Sequence, residues 1–474
     1  MAGLFHTLNI GSESLFASRQ GVDTAGHNIA NAHTEGYSRQ RVNLEQREPS
    51  ARRGVIIGNG VFVKNINRAH DQFLERQINQ VNQDFGKSES KYDAMKPIEE
   101  IYSPELNSSV SDEINNFFNS MQDLANFPEE MTVRSSVREN AQNLVNSFHR
   151  NDRSLKNYRE DLNQRVSGEV GNANTLINEI ARLNIAIRSM NTPGDKEASD
   201  LLDQQDLLLR KLTEVMDINY YRSEMGMVVV RGPQETLLVE KGFAANLSLK
   251  LNTSNSNMYD ILVDNGASHN PTVVTHANRR GRLAGLIEVR DEVIPGLVAK
   301  NNEMAYEFAN RFNEIHRNGY GLQSFKESLG RDFFEVSSDQ SLAAETIQVH
   351  SLVNEDLNSI SVASTPFAPG DNVIANELLR LKERPVMSNG DESFNDFYAN
   401  YVGVFGLELV RAEHTKKANT TLIDDLRGRR EAVAGVSMDE EAMNLLKWQA
   451  NFTASSKVIT TIDEMLETVL AMKR

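Results

Sequence analysis

The sequence predicts a mainly α-helical fold: terminal coiled-coil helices, an elongated helical-bundle body and a small outward β insertion. Three observations carry this. Apolar and small residues repeat with heptad spacing at both ends of the chain. A long periodic stretch near the middle contains no proline. Several short β-prone runs gather in one window, residues 218–274.

The N-terminal heptad is Leu4, Leu8, Gly11, Leu15, Ser18, Val22, Ala25 and Ile29, spaced alternately by four and three residues. On a helix these positions form one narrow line. Three of its members are Gly, Ser or Ala, so the helix cannot be stable alone and needs a partner. It runs out through Ala30-Asn31-Ala32-His33-Thr34-Glu35-Gly36, where Asn and Gly suit a turn.

Beyond Tyr37 the pattern alternates with period two, and Gly54–Val63 reads as two strands around an Asn59-Gly60 turn. The cluster Arg39, Arg41, Arg47, Arg52 and Arg53 reads as solvated surface or as a contact for an acidic neighbour. Helix is expected from Asp71 to about Tyr102, then from an N-cap at Ser111 to Asn126-Phe127-Pro128. A rod-like helix is expected over Val133–Met190, ended by Asn191-Thr192-Pro193-Gly194-Asp195. A short helix covers Leu201–Leu209, and the β runs follow. Helix resumes at Gly281 and continues through Pro295 to about His316. Residues 320–395 are mixed, with a strand at Ile347–Val349 and a helix at Asn376–Lys382. A final helical region opens near Ser393.

The partner for the first helix lies at the other end. Ser437 is a good N-cap with acids in the first turn. Ala442, Leu445, Gln449, Phe452, Ser456, Ile459, Ile462, Leu466 and Val469 then carry a second seam. Pairing the ends makes everything between them an excursion that leaves and returns. The expected organisation is an inner terminal domain (1–45 with 435–474), a helical rod-like domain with small β elements (46–217 with 275–434), and a β-rich insertion (218–274).

Sixty-six acidic against 50 basic residues give a net charge of −16, which argues against nucleic-acid binding. There is no cysteine, which excludes disulfides and thiolate metal sites. No run of some 18 apolar residues could span a membrane, and no secretory signal is legible. Aromatic residues make up only 7%, so an aromatic core is not expected. No two of the ten histidines have metal-ligand spacing, and no nucleotide loop or nucleophile elbow occurs. Neither cofactor nor metal is expected, and nothing points to an enzyme. Glu440-Glu441 reads as a solvated face. Met438, Met443, Met465 and Met472 read as coiled-coil core, or as a surface that a chaperone could hold while the helix is unpaired.

The segment Val22–Gln40 contains Asn28-Ile29-Ala30-Asn31, then Gly36-Tyr37-Ser38-Arg39. It resembles the N-terminal signature of the axial proteins of the bacterial flagellum, the rod, hook and hook-associated family. Asn28, Asn31, Gly36, Tyr37 and Arg39 match that signature; Gly26-His27 stands where the family often has Ser-Asn. Gly435–Ala442 and Trp448–Ile459 are similar to its C-terminal signature. Leu201–Asp206, Gly281–Asp291 and Phe308–Gly319 resemble the hook-associated members between hook and filament. Departures are Gln205 where Arg is common and Arg280 where Gly is common. The resemblance implies a structural subunit: an inner tube of terminal helices, a wall beyond it and an outward insertion that looks reduced. Its implied partners are further copies of itself, the hook protein, and a second junction protein or the filament. It further implies export through the flagellar type III channel with a chaperone at the C-terminal helix, hence a cytoplasmic and then an extracellular location. A rod or flagellin-like axial protein, or an adhesin on a helical stalk, are the competing readings.

Overall fold

The computed structural model describes residues 2–52, 55–103, 109–190, 198–223, 225–264 and 271–472. The expected helix breaker at 191–195 and the residues Arg53 and Gly54 lie outside these. In order the chain forms α1 (Ala2–Ala30), β1 (Gln40–Gln46), β2 (Ser50–Arg52), β3 (Val55–Ile57), β4 (Val61–Arg68), α2 (Gln72–Tyr102), α3 (Val110–Asn126), α4 (Met131–Met190) and α5 (Ser199–Val215). Seven short strands follow: β5 (Asn219–Arg222), β6 (Val228–Arg231), β7 (Leu237–Glu240), β8 (Phe243–Ala244), β9 (Asn246–Asn252), β10 (Met258–Asp264) and β11 (Thr272–Val273). Then come α6 (Gly281–Glu288), a π turn (Val289–Val293), α7 (Ile294–His316), β12 (Phe334–Glu335), α8 (Ala343–Thr346), β13 (Gln348–Val349), α9 (Ser351–Glu355), α10 (Val373–Arg380), α11 (Phe394–Ala434) and α12 (Met438–Ala471).

The frame is α4, whose 60 residues span about 90 Å. The β insertion packs along its C-terminal half as two antiparallel sheets, β5-β6-β7-β8 and β11-β10-β9. Val228, Val230, Leu238 and Ile261 are buried in one core with Ile177 and Ile180. Two asparagines of α4 fix the strands by main-chain clasps. Asn184 bonds both the N–H and the carbonyl of Val228 at 2.8 Å, and Asn174 does the same for Leu247 at 2.8 Å. The many Asn residues on this helix are therefore partly structural, since each such pair satisfies a buried backbone donor and acceptor.

At the other end of α4, Phe117, Phe118, Phe308, Phe312, Phe333, Phe334 and Phe394 form one buried cluster. Their ring centroids lie 4.8–6.2 Å apart, mostly edge-to-face as the ring quadrupoles prefer. The body has an aromatic core after all. Aromatic residues are few, but they converge from four separate segments.

Two further expectations are corrected. Residues 55–63 are not a hairpin about Asn59-Gly60. β3 pairs with β2, and β4 pairs back to β1, so the strands form one nested ribbon. Gly60, at φ +78°, bends that ribbon where Ile10 of α1 presses on it. The cap of α3 is Ser109, not Ser111. Ser109 Oγ accepts the Asp112 N–H, while the Asp112 carboxylate accepts the Ser109 N–H, both at 3.1 Å. This reciprocal box outcompetes a lone serine, and Ser111 turns to Asn395 instead.

The Gly281–Asp291 motif has a local cause. Gly281 has φ +78°, and a β-carbon there would meet the backbone of Val215 and Met216 at 2.5–2.7 Å. Within the π turn, fully buried Arg290 grips Asp291 at 2.7 and 2.9 Å. It also reaches Asn163 of α4 at 2.9 Å and the Tyr259 carbonyl at 3.0 Å. One side chain thus ties the π turn, α4 and the insertion together.

Candidate assembly site

The terminal helices α1 and α12 pack antiparallel, touching at intervals of seven residues on both. Asn28 meets Glu441, Gly21 meets Trp448, and Ser14 meets Ser455. Gly11 continues the line against Ile459. Gly11, Ala17, Ser18, Gly21 and Ala25 are buried, so the small residues set how closely the helices approach. Leu4, Leu8, Leu15, Val22 and Ile29 are half-buried along the flanks.

On α12 the seam differs from expectation by one residue over part of its length. Leu445, Ile459 and Leu466 are half-buried and Ile462 is buried. Ala442 is exposed, and Glu441 takes its place at 2% exposure. Trp448 and Ser455 face α1 where Gln449 and Ser456 were expected. Phe452 and Val469 remain 42% and 38% exposed. Met438, Met443, Met465 and Met472 are all exposed rather than core.

The signature residues converge where α1 ends. Asn28 is buried with its amide fully used. Its Nδ2 donates to the Gln40 carbonyl at 2.9 Å and to Glu441 at 3.1 Å. Its Oδ1 accepts the Gln40 N–H at 2.9 Å and the Tyr37 hydroxyl at 2.7 Å. Burial, with the Asp200, Asp203 and Glu441 carboxylates, raises the Tyr37 pKa well above its ordinary value, so the phenol stays a donor. Asn31 caps the turn by donating to the His27 carbonyl at 3.1 Å, and Thr34 Oγ1 donates back to it at 3.2 Å. Gly36, at φ +85°, lies over Leu207, and its carbonyl accepts from Arg430 at 2.9 Å. Arg39 bridges Glu440 at 2.7 Å and Glu441 at 2.6 Å, while its N–H donates to the Ala434 carbonyl at 2.8 Å. Glu441 is therefore not part of a solvated face, while Glu440 stays exposed, and Arg39 is not free surface. Arg47 likewise pairs with Glu13 of α1 at 2.7 Å.

Behind this turn lies a buried charge network that fixes the terminal pair to the body. Asp203 accepts the Ser38 N–H at 2.8 Å and Arg68 at 2.8 Å. Arg68 also reaches Asp206 at 2.6 Å, and Asp206 takes Arg222 at 2.6 Å. Arg430 of α11 pairs with Glu75 of α2 at 2.7 Å. Burial raises the Asp203 pKa, which Arg68 and Ser38 offset only in part. Burial acts the same way on Asp206, but Arg222, Arg68 and His70 outweigh it and hold that carboxyl below its ordinary value. The spacing of Asp203 and Asp206 puts both carboxylates on one face of α5. Among the described residues no group of three or more His, Asp or Glu could hold a metal ion, and no helix is long and apolar enough to cross a membrane. The arrangement locks an angle.

Comparison with known proteins decides the assignment. Residues 95–334, half of the chain, match the flagellar hook-associated protein FlgK helical domain. The chain belongs to the FlgK family of flagellar hook-associated proteins. Residues 432–472, which include α12, match the flagellar basal body rod FlgEFG protein C-terminal family. Flagellar hook-associated protein 1 of Bacillus subtilis is 27% identical over 503 residues, covering 99% of this chain and 98% of its own length. The Salmonella typhimurium protein of the same name is 22% identical over 554 residues, covering 98% and 99%. The flagellar hook junction protein FlgK from Burkholderia pseudomallei shares the fold, with TM-score 0.68, 14% identity, and coverage of 76% of this chain and all of that one. FlgK-family membership makes the chain a structural component of the flagellum. Sequence reasoning missed Glu441, Trp448, Arg68 and the hub role of Asp203 and Asp206. The only signal for the last pair was that Leu201–Asp206 matched the family.

Proposed function

We propose that the chain joins hook to filament as one of many copies in a short helical zone. The terminal pair, residues 1–45 with 435–474, lines an inner tube; residues 46–217 with 275–434 form the wall; the insertion 218–274 faces outward. The observation that carries this reading is the two-sidedness of the terminal pair. Its small-residue faces are used up against each other, yet Phe5, Phe16, Met443, Leu446, Val458, Met465 and Leu470 stay exposed. Such a row on a soluble chain marks a protein contact, and further copies supply it. The neighbours at the two ends of the zone are the hook protein and a second junction protein or the filament. Before assembly the chain is cytoplasmic, held by a chaperone at α12, and leaves unfolded through the flagellar type III system. Its role is mechanical, and we assign no catalytic one.

A deletion strain tests the reading. Hooks without filaments, with flagellin shed into the medium, are expected in electron micrographs; normal filaments would reject it. A truncate lacking residues 1–36 and 437–474 should stay monomeric beside hook and filament partners. If it still polymerises with them, the terminal helices are not the tube.

A further inference from the structure

The joint between the terminal pair and the body holds a cavity of about 510 Å³. Four cations stand on its walls: Arg210 and Lys211 of α5, Arg427 and Arg430 of α11. Residues 32–37, the turn that leaves α1, line it too. Arg430 is engaged, since its Nε bonds Glu75 Oε1 at 2.7 Å and its Nη2 reaches the Gly36 carbonyl at 2.9 Å. Arg210 is not. Its side chain is only 17% exposed, yet among the described residues neither Nε nor Nη2 has a hydrogen-bond partner. Glu75 Oε2, itself unpartnered, lies 4.0 Å from that Nε, beyond hydrogen-bond range. Two guanidiniums thus face one carboxylate that is already committed to Arg430. Burial lowers the Arg210 pKa, and the Arg430 charge adds to this against the pull of Glu75; a guanidinium stays a cation all the same.

The other acids of the cavity are spent elsewhere. Glu35 turns to Lys211 at 3.4 Å, Glu214 pairs with Arg282, and the Glu431 side chain lies against Gly435. Arg427 has only exposed Asp424, at 3.9 Å. A buried cation with idle donors calls for an acceptor. We infer that this cavity binds a small multivalent oxyanion, a polycarboxylate or a phosphate, on Arg210 together with Lys211 and Arg427. The planar fork of a guanidinium matches such groups two bonds at a time. The volume lies within the roughly 300–1,000 Å³ of small-molecule sites. A ligand here touches α5, α11 and the turn at once, so its binding stiffens the joint that sets the terminal pair against the body. The site belongs to the single chain and does not depend on self-assembly.

Calorimetric titration of the purified full chain with citrate, and separately with inorganic phosphate, tests this at constant ionic strength. One saturable site per chain is expected, and the tighter of the two anions names the class. Arg210→Met should weaken binding by about tenfold or more, the loss of a charge-assisted hydrogen bond. Arg427→Met, at an exposed position, should weaken it by roughly a few-fold. Arg311→Met, which removes an equally exposed cation of α7 outside the cavity, should leave it unchanged. Bound anion should also slow deuterium exchange at residues 32–37 and not in the β insertion. Should Arg210→Met fail to fold, Arg427→Met and the exchange pattern decide the question by themselves. Absence of a saturable site overturns the proposal. Equal affinity in all the variants, or exchange at 32–37 that ignores the anion, means an adventitious ion only and overturns it as well.

Discussion

The indole of Trp448 fills the space that any side chain at Gly21 would need. This one contact sets the separation of the two ends of the chain. Replacing Gly21 by Ala should raise the intrinsic helix propensity of α1 by about 1 kcal/mol, yet the added methyl overlaps the ring. Gly21→Leu should therefore loosen α12 at a cost of about 1–3 kcal/mol, the range for overpacked sites. Limited proteolysis reads it as faster cleavage after Lys447 and Lys457. Adding Trp448→Ala should recover part of the loss, because the two sites share one volume and are not additive. Equal cleavage of wild type and Gly21→Leu would contradict the contact.

Glu441 is the most buried charge of the terminal pair, and it serves Asn28 and Arg39 together. Glu441→Ala would leave the Asn28 amide one acceptor short and leave Arg39 with exposed Glu440 alone. Breaking a buried pair on one side costs about 3 kcal/mol or more. Glu440→Ala, at a half-exposed position, should cost under about 1 kcal/mol. Denaturant unfolding of the two variants should show that order, and the reverse order would mean that Arg39 depends on the wrong partner.

Asp206 gives the network a pH dependence with a definite sign. Its folded pKa lies below that of the unfolded chain, so its contribution is fully present above about pH 4 and fades as pH falls through the lower folded value. Asp203 is shifted the other way and opposes part of that loss. Asp206→Asn should cost about 3 kcal/mol at neutral pH by removing the carboxylate that Arg222 pairs with and leaving Arg68 to Asp203. It should also flatten the fall in melting temperature below pH 4. An unchanged acid slope would show that another carboxylate governs it.

What was legible in the sequence follows the range of the interactions. Helix positions came through because period 3.5 or 3.6 is local; even α4 was placed to within two residues at its start. The seam phase on α12 slipped because its true members Glu441 and Ser455 carry no apolar signal and Trp448 answers a glycine 427 residues away. The Asn59-Gly60 hairpin failed for the converse reason. A strong local turn signal was overruled by pairing of β4 with β1. Asp203 could be seen only as part of a matching motif, since its partners Ser38 and Arg68 stand 165 and 135 residues distant. The phenylalanine core was hidden in the same way, split among α3, α7, β12 and α11.

His316 offers the sharpest test of the body. It is fully buried beside Phe312 and Phe333, and both ring nitrogens are engaged. Nδ1 lies 2.8 Å from the Arg331 carbonyl, so it carries the proton; Nε2 lies 2.9 Å from the Ser361 N–H, so it must accept. That pairing admits only the neutral ring. Burial pushes its pKa down to about 4, while in the unfolded chain it titrates near 6.5. The unfolded state therefore binds the extra proton first. Stability is full above about pH 6.5 and declines by up to about 1.4 kcal/mol per pH unit until about pH 4, where the folded ring also protonates. His316→Gln should be less stable at pH 7.5 by about 1–3 kcal/mol, the cost of a buried hydrogen-bonding group left poorly matched. Between pH 6.5 and 4 its stability should depend on pH less steeply than that of the native chain. Parallel denaturant titrations at pH 7.5, 6.0 and 4.5 measure both effects, and an identical pH slope in the variant would remove His316 as the source.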